Sequence, residues 1–248
     1  EDHPTLIDAK ESADKHNLEY EILSSTEVKK LYPQFVIKKN SIGFFDKTAG
    51  YLLSEACIRL FVNLADRNGA EILLNTPVVS IRPMDNKVIV QTNDQNYEAD
   101  KVILTAGAYI NELCPDFSSH LSLSRLVAGW FEPDDISLYG PEDFPSFILI
   151  EKDHYSYGFP TIEIPGVKIG FSMRKAQNLN STKEIDRKIS DDDIDSLRYW
   201  LEKYLPGANG NIVQIGTCFG MSTPDRNFVL GPHPKHPNII LGHACSGH

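Results

Sequence analysis

No stretch of the 248 residues is long and apolar enough to cross a bilayer as a helix, which excludes a helical membrane span within it. No C-x-x-C pair occurs: the four cysteines stand at positions 57, 114, 218 and 245. With no signal peptide visible, they read as reduced thiols of a cytosolic protein. Positive charge is scarce. Lys and Arg number 24 against 34 Asp and Glu, a net charge of −10, which argues against nucleic acid or an anionic membrane as partner. The glycine fingerprint G-x-G-x-x-G, whose backbone amides and helix terminus hold a pyrophosphate, is also missing. Gly207-Ala208-Asn209-Gly210 follows a helical pattern and reads as a turn. Internal repeats and low-complexity tracts are absent, and the sequon Asn180-Ser181-Thr182 reads as chance.

What is present is an interleaving of helix and strand patterns. A hydrophobic content of 41% suffices for a substantial core, in one large domain or two small ones. Apolar spacing predicts a helix over Thr5–His16 and a strand over Glu19–Leu23. A capping box of Ser24 with Glu27 opens a short helix to Leu31, and Ser41–Asp46 reads as a strand. Ser54 is expected to cap a helix over Glu55–Asn68, ended by Gly69, with Ile58, Leu60, Phe61, Leu64 and Ala65 packed on a sheet. Strands are expected at Glu71–Leu74, Val78–Arg82, Lys87–Thr92 and Tyr97–Thr105, the middle two as a hairpin around Asp85-Asn86. Further strands follow at Leu126–Glu132, Ser146–Glu151, His154–Phe159 and Val167–Met173. One more helix, about Ser190–Tyr204, has Ser190 as cap and Asp191, Asp192 and Asp193 at its positive end. Asn211–Phe219 and Asn238–Gly242 return to strand.

Candidate chemistry is sparse. The apolar run Lys101–Ala108 ends in small residues, the pattern of a strand entering a turn that a ligand can approach closely. His233, His236, His243, Cys245 and His248 crowd the end of the chain, but their spacing fits no zinc pattern and no metal site is expected. A lone cysteine is most often a small buried hydrophobe, and packing is the expectation for Cys57, Cys114 and Cys245.

Cys218 is different because of its neighbours. The order Gly216-Thr217-Cys218-Phe219-Gly220-Met221-Ser222-Thr223-Pro224-Asp225, then Asn227–Pro234 and Asn238–Gly242, resembles the late part of the monomeric sarcosine oxidase and N-methyltryptophan oxidase family of FAD-dependent amine oxidases. Tyr157-Gly158-Phe159-Pro160, followed by Gly166–Ser172, is a second match. The resemblance implies that Cys218 bonds the 8α methyl of the flavin. It implies that Tyr157 lines the substrate pocket and that Lys168 sits over the flavin and promotes reaction with oxygen. Ser172 stands where the family has a histidine, which puts the substrate in question, since a serine cannot carry charge near neutral pH. Thr105-Ala106-Gly107-Ala108-Tyr109 matches the family's cofactor-touching turn, with Ala106 and Gly107 at the contact. Val79 falls where the family places a backbone contact to adenine, and Gly247 and His248 fall in the flavin-facing loop.

The implied reaction is oxidation of the C–N bond of an N-methyl or other secondary amino acid, giving an imine that water hydrolyses, and hydrogen peroxide. The implied enzyme is a cytoplasmic monomer acting on a small amino acid and oxygen, with neither nucleic acid nor membrane as partner. Its architecture is α/β in two interleaved parts. Residues 55–121 and 225–248 would be the remnant of a Rossmann-like FAD-binding domain, and 1–54 and 122–224 a mixed-sheet substrate domain with flanking helices. The chain starts without Met and stops at Ser246-Gly247-His248, before the G-F-K the family has next. It therefore reads as a fragment of a longer flavoenzyme that neither holds FAD nor turns over by itself. Two other readings stay open: an FAD enzyme acting on glycine, pipecolate or a glycated amino acid, and a non-catalytic binding module on the same scaffold.

Overall fold

The computed structural model describes residues 3–118, 121–152, 154–171 and 181–246. In chain order it forms α1 (Pro4–His16), β1 (Tyr20–Ser24), α2 (Ser25–Leu31), β2 (Ile42–Asp46), α3 (Ser54–Arg67), β3 (Val78–Pro83), β4 (Val88–Thr92), β5 (Asn96–Ala99) and β6 (Val102–Leu104). Two one-turn helices, α4 (Ile110–Leu113) and α5 (Pro115–Ser118), lead to β7 (Ser122–Phe131), β8 (Phe147–Glu151), β9 (His154–Phe159) and β10 (Val167–Phe171). Helix α6 (Asp191–Tyr204) and strands β11 (Ile212–Ser222), β12 (Val229–Pro232) and β13 (Ile239–His243) complete it.

Local chemistry sets most of these boundaries. Pro4 opens α1, where its missing N–H costs no hydrogen bond, and Asn17 at φ 54° closes it. Capping boxes start α2 (Ser24 with Glu27) and α6 (Ser190 with Asp193), so each cap serves an N–H that the helix cannot satisfy internally. Three expectations need correction. Leu53, not Ser54, is the N-cap of α3, and Ser54 is already helical. Residues 71–74 form no strand; they lead into a turn with Asn75 at φ 54°. The run expected as one strand over Tyr97–Thr105 breaks at Asp100-Lys101, because β5 pairs with β4 while β6 joins β13 in another sheet.

The chain divides into two compact units. The first comprises Glu1–Leu52, Leu126–Arg174 and Arg187–Thr217. It holds the β1–β2 pair and most of a five-stranded sheet in the order β11-β7-β10-β9-β8. Side chains alternate between the faces of a strand. Val167 and Ile169 of β10 are fully buried in a core with Phe131, Phe144 and, from α6, Leu197 and Leu201. Lys168 and Gly170 must then leave the opposite face. By register Lys168 faces Phe159 and Trp130, and Gly170 faces Tyr157 and Ala128. A Cβ at Gly170 would lie 2.5 Å from Tyr157 Cζ and 2.6 Å from its hydroxyl, so glycine is what lets that ring lie down on the sheet.

The second unit comprises Leu53–Arg125, Lys175–Asp186 and Cys218–His248. Its two three-stranded sheets run β12-β13-β6 and β3-β4-β5, with β13 and β6 parallel. Val88, Leu104, Ile110, Ile239 and Leu241 form its core. Helix α3 corrects another expectation. None of its residues is buried: Ile58 is 62% and Phe61 65% exposed, because no described residue covers its apolar stripe.

Helix α6 is tied to β8 by charge as well as by packing. Lys203 Nζ donates to both carboxylate oxygens of Glu151 at 2.6 Å, and Tyr199 Oη donates to Glu151 Oε2 at 2.9 Å. These bonds, with Lys203 the larger cause, hold the Glu151 carboxyl below its ordinary range. Folding thus lowers this pKa. The stability it contributes is complete above the unfolded value of about 4.3 and is lost as pH falls through the folded value. We predict that Glu151→Gln lowers Tm by roughly 2–4 °C at pH 7. The same variant will show a shallower loss of Tm below pH 4.5, measured by calorimetry across pH. We also predict that Gly170→Ala destabilises by about 1–3 kcal/mol in urea unfolding. That cost will disappear when Tyr157 is Ala, the ring being what the methyl meets.

Candidate functional site

In the first unit the site residues stand on the face of the five-stranded sheet turned away from its core. Lys168 is half-buried there, with Nζ 4.9 Å from the ring centre of Trp130 and 5.4 Å from that of Phe159. Tyr157 lies beside them, its ring 6.1 Å from that of Phe159 and nearly perpendicular to it. The fold therefore brings Tyr157 and Lys168 together on neighbouring strands. Ser172 lies outside the described residues. Trp130 and Phe159 had not been singled out from sequence. The signal for Phe159 was its place two residues after Tyr157, on the same face of the strand. Trp130 carried no such local mark, since only the pairing of β7 with β10 places it opposite Lys168.

The second unit holds Cys218, Val79, Ala106 and Gly107. Cys218 is exposed, which removes the packing explanation usual for a lone cysteine. Alternation accounts for it: Met221, three residues on, packs against the second core, so Cys218 leaves the other face of β11. The end of β11 is anchored to the start of β7, where Ser124 Oγ donates to the Gly220 carbonyl at 3.3 Å and Ser122 Oγ to that of Ser222 at 3.2 Å. The loop after β13 is anchored to β11 as well. Ser246 N donates to the Met221 carbonyl at 3.1 Å, and Thr223 N donates to Ser246 Oγ at 3.2 Å. Ala244 and Ser246 take positive φ, 56° and 53°, a conformation that non-glycine residues enter only when their surroundings impose it. Gly247 and His248, which follow directly, lie outside the described residues. Cys245 is exposed, against the expectation that it packs, whereas Cys57 and Cys114 are half-buried. Burial pushes the Cys114 thiol pKa up, making it a poor nucleophile.

Ala106 and Gly107 follow the C-terminal end of β6, and Leu104 of that strand pairs with Leu241 of the parallel strand β13. The crevice beyond the carboxyl ends of parallel strands is where open α/β sheets receive ligands. Gly107 has φ 53°, and nothing lies within 4 Å of where its Cβ would stand, so the backbone there is open to close approach. Val79 is skipped in the register between β3 and β4, which shifts between Val78 and Ser80, and its side chain is 52% exposed. Such a bulge takes a peptide unit out of the ladder and makes it available to another partner.

The late histidines are held by other means. His233 and His236 stack with ring centres 5.1 Å apart, and burial, then the neighbouring His236, draws the His233 pKa down. Among the described residues no three His, Cys, Asp or Glu side chains converge as metal ligands.

Known proteins share this arrangement of sequence and fold. Monomeric sarcosine oxidase of Bacillus sp. (strain B-0618) is 31% identical over 245 residues, covering 98% of this chain and 63% of the relative. N-methyl-L-tryptophan oxidase of Escherichia coli (strain K12 / DH10B) is 31% identical over 252 residues, covering 100% of this chain and 65% of the relative. The chain thus spans less than two thirds of the length of these relatives. Among solved structures, the open form of NikD, an unusual amino acid oxidase essential for nikkomycin biosynthesis, superposes with a TM-score of 0.75 at 20% identity, over 95% of this chain and 63% of that one. Glycine oxidase from Geobacillus kaustophilus does so with a TM-score of 0.73 at 16% identity, over 94% and 59%. At those identities the likeness is one of fold. The family model described as FAD dependent oxidoreductase, DAO, matches residues 1–248. Matched from its first residue to its last, the chain belongs to the DAO family of FAD-dependent oxidoreductases.

Proposed function

We propose that the chain is part of an FAD-dependent oxidase that acts on the C–N bond of an N-methyl or other secondary amino acid, giving an imine that water hydrolyses to an aldehyde, and hydrogen peroxide. The observation that carries this reading is the lysine of the sheet face: Lys168 stands among aromatic rings, beside Tyr157, on the face turned away from the core. The similarity to sarcosine and N-methyltryptophan oxidases supports the substrate class.

Cys218, with an exposed thiol, and Gly107, with an open backbone, fit the ring end of a flavin. Val79, a peptide unit outside its ladder, fits the adenine end. They do not supply a cradle for its diphosphate, because no G-x-G-x-x-G occurs in these residues. We therefore assign the second unit to the flavin and the first to the substrate. By the same reading the chain alone does not retain FAD or turn over. Bound FAD would accept a hydride equivalent from the carbon next to the amine nitrogen and pass the electrons to oxygen. Around it, the Cys218 sulfur would tether the ring. The Lys168 ammonium would lower the energy of negative charge as it develops on oxygen. The Tyr157 hydroxyl would orient the substrate, and Gly247 and His248 would face the ring from the loop after β13. Ser172, in the place of the family's histidine, can give a hydrogen bond but no charge, which favours a substrate other than sarcosine itself. The enzyme acts, on this reading, as a cytoplasmic monomer; the cysteines among the described residues are in no disulfide.

Peroxide release from the flavin-loaded full-length protein over a panel of N-methyl and cyclic secondary amino acids tests the reaction, and silence across the panel sinks it. Peptide mass spectrometry should find a flavin-sized adduct on the Cys218 peptide that Cys218→Ser removes. Lys168→Met should slow the reaction with oxygen on the order of a hundredfold while leaving the reaction with amine within about threefold. Equal slowing of both steps would count against the role given to Lys168.

A further inference from the structure

We propose that Trp130 and Phe159 are positioning residues for Lys168, holding its ammonium against their ring faces so that it is fixed in place yet keeps its whole charge. The proposal rests on the reading of Lys168 as the charge that assists oxygen, and adds what keeps that charge where it is needed. Both rings lie within the roughly 6 Å over which a ring face attracts a cation, at 4.9 Å for Trp130 and 5.4 Å for Phe159. The pairing of the sheet makes the arrangement systematic. Lys168 of β10 faces Trp130 of β7 on one side and Phe159 of β9 on the other. The three side chains therefore leave one face as a cross-strand row, within the reach over which such neighbours interact. Among the described residues, no carboxylate forms an ion pair with Lys168.

The choice of rings over a carboxylate has a chemical meaning. A carboxylate would hold the ammonium as firmly, but it would cancel the charge and occupy N–H groups. A ring binds through its quadrupole and adds no formal charge. An unrestrained lysine spreads its charge over many rotamers, whereas electrostatic assistance depends on the charge being in place before the reaction starts. Lys203 in the same unit shows the contrast: its ammonium also lies over rings, those of Tyr199 and Tyr204, but it is paired with Glu151 and so neutralised.

The test uses the flavin-loaded full-length protein and separates two half-reactions by stopped-flow absorbance. Trp130→Leu and Phe159→Leu should each slow the reaction with oxygen by about threefold to tenfold and leave the reaction with amine unchanged. Trp130→Phe should recover most of the loss, because it restores a ring face. Added to Lys168→Met, neither change should slow oxygen further. A second readout needs no turnover: in urea unfolding, the double-mutant cycle of Lys168→Met with Trp130→Leu should show a coupling of roughly two- to fivefold in the unfolding constant. Additive unfolding effects, or equal slowing of both half-reactions by Trp130→Leu, overturn the proposal. Should Lys168→Met itself leave the oxygen reaction untouched, the role of Lys168 falls and takes the catalytic part of the proposal with it. The unfolding cycle would then still decide whether the rings hold the ammonium.

Discussion

Strand β10 is constrained by its own two-residue period. Val167 and Ile169 are drawn into the core under α6, and because side chains alternate, Lys168 and Gly170 have no freedom about which way to go. A slip of one residue would bury an ammonium and expose two core side chains, an exchange that costs far more than any local gain returns. The hydrophobic core of the first unit thus aims the lysine before any ligand arrives. The same period on β9 sends Tyr157 and Phe159 to the same face, and the antiparallel register sets them beside it. The arrangement of this face is a by-product of packing on the other.

The second unit solves a different problem, that of presenting backbone. Two parallel strands, β6 and β13, end close together, and each gives way to a turn that includes positive φ. Gly107 enters that region at no steric cost, while Ala244 and Ser246 enter it under the restraint of hydrogen bonds to the end of β11. The skipped Val79 and these turns are cases in which the regular pattern is interrupted, whereas the exposure of Cys218 follows from it.

What could be read from sequence followed the range of the forces involved. The capping box at Ser24, the cap at Ser190 and the β3–β4 hairpin depend on residues a few positions apart, and they are where the local pattern puts them. The break between β5 and β6 was not legible, because it is decided by β13, well over a hundred residues later in the chain. The strand expected over Glu71–Leu74 failed for the same reason: apolar residues alone do not find a partner strand. Helix α3 was legible as a helix but not in its burial, since periodicity says which face is apolar and not whether anything lies against it. In the candidate site, the strands bearing Tyr157 and Lys168 were evident, but Trp130 could not be joined to them without knowing that β7 and β10 pair.

The glycine beneath the Tyr157 ring bears on how such a site is inherited. One base change turns a glycine codon into an alanine codon, so that step is always on offer to drift, yet here the space is filled by an aromatic ring. Position 170 leaves glycine without that clash only where position 157 carries no ring, and a tyrosine fits at 157 without it only where 170 is glycine.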